Sequence, residues 1–231
     1  MSPDAIRWRK HLADAHAALD DESAAGSSVV HLAYCGLQNN HVAEMSVQFR
    51  AIAARLVSLT LSSNKLECTE SVPAEMVWDP SWPPPLGLEE WLVGCVSLEK
   101  LSLANNAALP ALSMCDVLPT TLKQLDLSGT SAEGSKMECI DRLTNLVTLD
   151  VSATNARLTP AIGRLPALMR LSASGCDVAG LREAGPLLVP RLAALHYLHL
   201  GGPTVSEDLA RVPYPNRVRL LEEVVMGAGA V

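Results

Sequence analysis

Large aromatic side chains are scarce in this chain of 231 residues. Phe, Trp and Tyr together make up 3% of it, with a single Phe, although 48% of the residues are hydrophobic. A core built on bulky aromatic rings is therefore excluded, and Leu, Val and Ala must fill the interior. Small aliphatic side chains suit thin stacked layers better than one thick globular centre.

Long apolar runs are missing as well. No segment approaches the roughly 20 apolar residues that a membrane-spanning helix needs. Residues 1–23 lack the apolar stretch of a secretory signal, so we expect neither export nor a membrane anchor. The acidic residues of this segment disfavour a mitochondrial transit peptide, although Arg7, Arg9 and Lys10 leave that location open.

Excess positive charge is also lacking. The formal net charge is -7, and the longest basic cluster is Arg7, Arg9 and Lys10. Proteins that follow a phosphate backbone normally carry a basic stripe, because binding releases counterions from the nucleic acid. Direct binding of nucleic acid is therefore disfavoured.

The common patterns of catalytic and metal sites do not occur. The six cysteines contain no C-x-x-C pair, the six histidines show no metal-ligand spacing, and no glycine-rich phosphate loop is present. We expect no enzymatic activity, no cofactor and no metal. Scattered cysteines favour a reducing compartment, so we expect a cytoplasmic protein, with cytoskeletal association left open.

One apolar pattern, L-x-x-L-x-L-x-x-N/C-x-L, is present in seven copies. Its clearest copies start at Leu56, Leu122 and Leu146, with the sequences LVSLTLSSNKL, LKQLDLSGTSA and LVTLDVSATNA. The seven copies start at residues 27, 56, 98, 122, 146, 168 and 195, at intervals of 29, 42, 24, 24, 22 and 27. All intervals but one fall within the roughly 20–29 residues of a single repeat of this kind.

The pattern predicts a short strand in each copy. Side chains alternate along a strand, so the fourth and sixth positions point inward and the third, fifth and seventh point outward. The ninth position turns the chain, and its side chain can bond backbone groups that the bend leaves unpaired. The ninth residues are Cys35, Asn64, Asn106, Thr130, Thr154, Cys176 and Pro203. Because Pro203 cannot donate a hydrogen bond, we expect the array to end near it.

The segments between the strands differ in length. The first interval has room for a helix from Val42 to Arg55, with Val42, Met45, Phe49, Ile52 and Leu56 on one side. The intervals of 22–24 residues leave room only for a helical turn or an irregular segment.

These residues resemble the leucine-rich repeat superfamily, and VVHLAYCGLQNNHVAEM is most similar to its ribonuclease-inhibitor-like subtype. The resemblance implies an α/β fold, a right-handed solenoid of about seven repeats with a parallel sheet on its concave face. We expect an N-terminal helix or cap at 1–26, the repeat array at 27–205 with an insertion near 70–86, and a C-terminal cap at 206–231. The resemblance implies no particular activity, because members range from adaptors to receptors and regulatory subunits.

The outward strand positions are the first candidate binding surface. Small and hydroxyl side chains dominate it, and Tyr and Arg are frequent hot-spot residues in protein interfaces. The candidate contact residues are Lys100, Gln124, Asp126, Asp150, Arg170, Tyr197 and His199. The alternative is that they are solvated strand residues without a partner. Asp126 and Asp150 are one repeat apart, but no third ligand for a metal is evident.

The insertion is the second candidate. Between Glu67 and Trp91 it contains three of the four tryptophans and six acidic residues without Lys or Arg, which is -6 of the net charge. Trp78 and Trp82, near three consecutive prolines, could anchor a basic partner. The alternative is a loop packed against the repeats, and Trp91 is expected on a short core helix.

The expected function is a non-catalytic scaffold or adaptor for protein–protein interaction, or a structural subunit of a larger intracellular assembly. Two alternatives remain open: a regulatory subunit that positions or inhibits an enzyme, and a peripheral ribonucleoprotein component.

Overall fold

The computed structural model describes residues 29–67, 88–131, 137–177 and 189–200. The expected N-terminal helix, the insertion with Trp78 and Trp82, Pro203 and the C-terminal cap lie outside these residues. The predictions made for them therefore remain predictions.

One parallel sheet runs through all four described segments. It has seven strands in sequence order, and each strand pairs in parallel with the next one. The strands are β1 (Val29–His31), β2 (Ser58–Thr60), β3 (Lys100–Ser102), β4 (Gln124–Asp126), β5 (Thr148–Asp150), β6 (Arg170–Ser172) and β7 (Tyr197–His199). Every strand starts at the third position of its copy of the pattern, so the register predicted from the leucines is confirmed.

The connections between strands are helical and short. The α-helices are α1 (Asn39–Glu44), α2 (Ser46–Ile52), α3 (Leu88–Gly94) and α4 (Val189–Ala193). The described residues also form four 3₁₀ helices: Ala53–Arg55, Ala111–Met114, Met137–Arg142 and Pro160–Arg164. The intervals of 22–24 residues thus carry single 3₁₀ segments, as their length predicts. None of the helices in the described segments has the length and apolar character that crossing a membrane requires.

The prediction of one continuous helix from Val42 to Arg55 is wrong. The chain forms α1, then α2, then the segment Ala53–Arg55, because Met45 has ψ 2° instead of the roughly −42° of a helix. The first helix also begins earlier than expected, at Asn39. The backbone N–H of Gln38 donates to His41 Nδ1 at 2.8 Å, so a capping contact starts the helix there. The apolar side is correct, since Val42, Met45, Phe49, Ile52 and Leu56 are all buried.

The core is a stack of aliphatic side chains from successive repeats. Two inward positions supply it, the middle strand residue and the residue just after the strand. The middle residues are at most 2% exposed: Val30, Leu59, Leu101, Leu125, Leu149, Leu171 and Leu198. The following residues are at most 1% exposed: Leu32, Leu61, Leu103, Leu127, Val151, Ala173 and Leu200. Each full burial of a Leu contributes about 1.5–3 kcal/mol, so this double row stabilises the array repeat by repeat.

One aromatic pair packs in the core between two of the helices. Phe49 on α2 stacks on Trp91 on α3 with ring centroids 3.9 Å apart and planes 7° from parallel. Both side chains are fully buried, which confirms Trp91 on a short core helix. These two helices lie in the two longest intervals, which have room for α-helices.

The ninth position of the pattern ties neighbouring repeats together. Asn106 Nδ2 donates to the carbonyls of Leu103 in its own repeat, at 2.7 Å, and of Leu61 in the preceding one, at 3.1 Å. Asn64 bonds Leu61 and Leu32 in the same way, both at 2.8 Å. The hydroxyl of Thr130 has one proton and donates it to Leu127 in its own repeat, at 2.7 Å. The expected backbone-bonding role is confirmed, and the asparagines bridge repeats because an amide has two donors.

The turn after each of the strands β1 to β6 passes through a left-handed residue. In six copies the eighth position has φ between 56° and 77°: Tyr34, Ser63, Asn105, Gly129, Ala153 and Gly175. Glycine has no steric cost there, and a Cβ on Gly129 would lie 2.7 Å from Asn105 Oδ1. The common turn closes these six strands at the same point and aligns their ends across the sheet.

Candidate binding surface

The outward strand residues form one continuous face, here called the open face. It has two columns, the first and the third residue of each strand, and both are exposed or half-buried. The first column is Val29, Ser58, Lys100, Gln124, Thr148, Arg170 and Tyr197. The third column is His31, Thr60, Ser102, Asp126, Asp150, Ser172 and His199. All seven strand residues nominated from the sequence lie on this face, while their role in binding stays a prediction.

A shallow depression of about 370 Å³ occupies the middle of the open face, across β2 to β5. Four nominated residues line it: Lys100, Gln124, Asp126 and Asp150. Arg170, Tyr197 and His199 lie beside it on β6 and β7. The sequence reasoning did not nominate the hydroxyl residues Ser58, Thr60, Ser102 and Thr148, which also line the depression. Their recurrence at outward strand positions was the signal available for them.

Hydrogen bonds hold the carboxylate of Asp126 in place. Its Oδ1 accepts from Ser128 Oγ at 2.7 Å and from the Ser128 backbone N–H at 3.1 Å. Its Oδ2 accepts from Ser102 Oγ on the neighbouring strand at 3.1 Å. Asp150 repeats the local contact, since its Oδ1 accepts from the Ser152 N–H at 2.8 Å. Both aspartates therefore stabilise the end of their own strand and still face solvent.

Hydroxyl groups extend this network along the sheet. Ser62 Oγ and Ser102 Oγ are 3.2 Å apart, and Ser152 Oγ and Ser172 Oγ are 2.7 Å apart. The backbone N–H of Ser174 adds a bond to Ser152 Oγ at 3.3 Å. Side chains fixed in this way lose little conformational entropy when another molecule docks on them.

Charge on the open face is separated by column. Lys100 and Arg170 are in the first column, and Asp126 and Asp150 are in the third. In the described segments none of these four side chains forms an ion pair within 4 Å. The ion pairs found there lie off the strands: Lys123–Glu99 at 2.6 Å, Arg142–Asp116 at 3.5 Å and Arg164–Asp141 at 2.8 Å.

Arg170 has one defined contact on this face. Its guanidinium carbon lies 5.1 Å from the centroid of the Tyr197 ring, on the next strand of the same column. Such a cation–π contact contributes about 0.5–1 kcal/mol at an exposed site. The contact restrains the guanidinium, and its N–H donors remain able to bind an anion.

The cysteines of the core are not arranged as nucleophiles. Burial raises the pKa of the Cys95 thiol to about 12 and that of the Cys115 thiol to about 12. Burial also raises the pKa of Cys176, whose Sγ contacts the Val151 carbonyl oxygen at 3.1 Å. The reactive species of cysteine is the thiolate, so these groups are protonated and inert at neutral pH.

No metal site is formed by the residues that the structure describes. They contain no group of three or more His, Cys, Asp or Glu side chains that could hold a metal ion. Asp126 and Asp150 are register partners on adjacent strands, but a third ligand does not join them in these segments.

Comparison with known proteins gives structural matches only. No family model matches the chain, and no curated protein matches it. One similar solved structure is the leucine-rich repeat ectodomain of the plant membrane receptor kinase GASSHO1/SCHENGEN3 from Arabidopsis thaliana, in complex with CASPARIAN STRIP INTEGRITY FACTOR 2. It is 21% identical with a TM-score of 0.44, and the match covers 74% of this chain and 18% of the receptor chain.

Two bacterial structures are similar at the same level. A leucine-rich repeat protein of Leptospira interrogans is 23% identical with a TM-score of 0.46, over 69% of this chain and 35% of that one. Internalin C2 of Listeria monocytogenes is 15% identical with a TM-score of 0.45, over 78% of this chain and 80% of that one. The chain thus spans well under half of the Arabidopsis and Leptospira proteins.

The assignment of the fold rests on the geometry of the chain itself. Seven short parallel strands follow each other in sequence order, two inward apolar positions per strand form the core, and a ninth residue bonds the backbone at the bend. This is the arrangement that the repeated pattern encodes. The chain therefore has the leucine-rich repeat fold.

Proposed function

We propose that this chain is a non-catalytic platform for protein–protein interaction, or a structural subunit of a larger assembly, and that its partner contacts the open face. The observation that carries the proposal is that the charged side chains on that face are oriented by other contacts but not neutralised by ion pairs in the described segments. Lys100, Asp126, Asp150 and Arg170 have no ion pair in the described segments, while hydrogen bonds or a ring contact orient three of them.

The shape and composition of the open face support the same use. Hydroxyl side chains of modest size surround a shallow depression, so the backbone of a partner can approach the strands closely. Tyr197 and Arg170 belong to the residue types that most often dominate interface energies. The open face thus offers a partner polar groups at its centre and the Arg170–Tyr197 pair at its β7 end.

A reducing compartment is part of the proposal. Cys95, Cys115 and Cys176 are buried in the aliphatic core, where each packs as a small apolar residue. Thiols that serve as core side chains have no need of an oxidising environment.

Replacement of Arg170 and Tyr197 together by Ala is expected to weaken partner binding at least tenfold, which is about 1.4 kcal/mol. The physical reason is the loss of the restrained guanidinium and of the ring beside it. The measurement is affinity purification of the tagged chain from cells that express it, followed by titration of the co-purified partner against both proteins.

The matched control is Lys65→Ala with Val96→Ala. Both residues are exposed and lie off the open face, and the pair removes one positive charge and one apolar side chain. Circular dichroism and melting curves verify that both double variants fold. Equal recovery and equal affinity of the partner for Arg170→Ala/Tyr197→Ala and wild type would contradict the proposal.

A further inference from the structure

We infer that the open face receives a polypeptide segment with mixed charge, in which a basic side chain meets Asp126 and Asp150 and an acidic side chain meets Arg170. The inference rests on the proposed function and adds the chemistry of the partner. It follows from the positions of the charges, the groups that hold them and the size of the neighbouring side chains.

The two aspartates form one acidic position. Asp126 and Asp150 are paired in register on β4 and β5, and neighbouring strands are about 4.8 Å apart. One ammonium or guanidinium group can therefore contact both carboxylates. Each carboxylate oxygen accepts more than one hydrogen bond, so the contacts to Ser102, Ser128 and Ser152 leave acceptor capacity for a ligand.

Arg170 forms the complementary position. It lies on β6, next to the strand of Asp150, but in the other column. The ring of Tyr197 restrains its guanidinium, which is a bidentate partner for a carboxylate. Two residues along a strand and one strand across place the backbones of Arg170 and Asp150 roughly 8 Å apart. Side chains two to four residues apart on one polypeptide segment span such a distance.

The surroundings favour a polypeptide over other ligands. The seventh pattern positions beside the aspartates are Ser128 and Ser152, which leave room for a partner backbone. A nucleic acid would place phosphates against the two carboxylates, and the repulsion opposes binding. Lys100, at the other side of the depression in the column of Arg170, extends the basic column toward β3.

The test uses a displayed library of random 12-residue peptides selected on the purified full chain. Enriched peptides are expected to carry Lys or Arg two to four positions from Asp or Glu. Their affinity is then measured against four variants: Asp126→Asn/Asp150→Asn, Arg170→Gln, Thr148→Trp and Lys65→Gln. Asparagine retains the shape and the acceptor for the serine N–H groups, while it removes the charge and replaces the oxygen that accepts from Ser102 Oγ by a donor.

The inference predicts at least tenfold weaker binding to the Asn pair and to Arg170→Gln, and unchanged binding to Lys65→Gln. Thr148→Trp places an indole between the two charge positions and is expected to abolish binding. As a rescue, a peptide with its basic residue changed to Glu should bind Asp126→Lys/Asp150→Lys better than wild type.

Two other results would separate the possible failures. Peptides that are lost on Thr148→Trp but bind equally to wild type, the Asn pair and Arg170→Gln would overturn the inference and leave the open face as the binding surface. Peptides that bind Thr148→Trp as well as wild type would overturn both the inference and the proposal that partners contact the open face. A selection with no enrichment, or tighter binding of a fluorescent single-stranded RNA than of any peptide, would overturn the inference.

Discussion

Replacement of Leu127 by Ala is expected to lower the free energy of unfolding by about 2–5 kcal/mol. Leu127 is fully buried at the sixth position of its repeat, between Leu103 and Val151 of the adjacent repeats. Removal of three heavy atoms leaves a cavity between layers that are held apart by their own strands, so little collapse can offset the loss. Urea denaturation followed by circular dichroism measures the change.

The control for this variant is Gln124→Ala. Gln124 begins β4, three residues before Leu127, and its side chain is exposed on the open face. Its replacement is expected to change the free energy of unfolding by no more than about 0.5 kcal/mol. Similar losses for the two variants would show that the inward and outward positions have been assigned wrongly.

Replacement of Asn106 by Ala is expected to cost roughly 3–5 kcal/mol, through hydrogen bonds and not through lost apolar contact. Asn106 is fully buried, its Nδ2 donates to the carbonyls of Leu61 and Leu103, and its Oδ1 accepts from the Leu66 N–H at 3.2 Å. Alanine leaves the Leu103 carbonyl and the Leu66 N–H without this buried partner, and each such group costs about 1–3 kcal/mol. It also removes the bridge to the Leu61 carbonyl, which keeps its bond from Asn64 Nδ2 at 2.8 Å.

Asn106→Thr is the graded comparison. At the same position in later repeats, Thr130 and Thr154 donate one bond to the carbonyl three residues before them, both at 2.7 Å. Threonine at 106 can therefore keep the bond to Leu103 and lose the bridge to Leu61. The same denaturation series should rank Asn106→Ala as more destabilised than Asn106→Thr, and Asn106→Thr as more destabilised than wild type. Equal stability of Asn106→Thr and wild type would contradict a bridging role of Asn106.

The strand register could be predicted from the sequence because side chains alternate along a strand. Only one register buries both apolar residues of each copy, which are leucine in most copies. A shift by one residue would expose Leu125 and Leu127 and bury Asp126, at a large cost. The same constraint placed the candidate residues Lys100, Gln124, Asp126, Asp150 and Arg170 correctly on one face. Their neighbours across the sheet followed directly, since each copy starts its strand at the same position.

Local backbone geometry was less predictable. Tyr34, Ser63 and Ala153 adopt positive φ although their side chains disfavour it. Among the six turn residues, only Gly129, Gly175 and Asn105 are of types that favour this conformation. Tertiary contacts decide here, because every repeat must turn at the same point to keep its ladder of hydrogen bonds. The break at Met45 was missed because the apolar spacing of its helices is continuous across it.

The details of the candidate surface depend on contacts that no pattern reveals. The sequence places Arg170 and Tyr197 on neighbouring strands, but the guanidinium over the ring is a matter of side-chain conformation. The bonds from Ser102 and Ser128 to Asp126 depend on the register and on the turn together. The kind of partner that binds depends on such side-chain contacts, because the repeated pattern specifies the core and not the binding surface.

Site-specific photo-crosslinking is the most direct measurement of whether the open face contacts the partner. A benzophenone side chain is placed at Gln124, which is exposed in the middle of that face, or at Val96, which is 62% exposed and lies off the strands. With the co-purified partner bound, irradiation should join it to the chain from position 124 and not from position 96. Crosslinking from position 96 with none from position 124 would contradict the account.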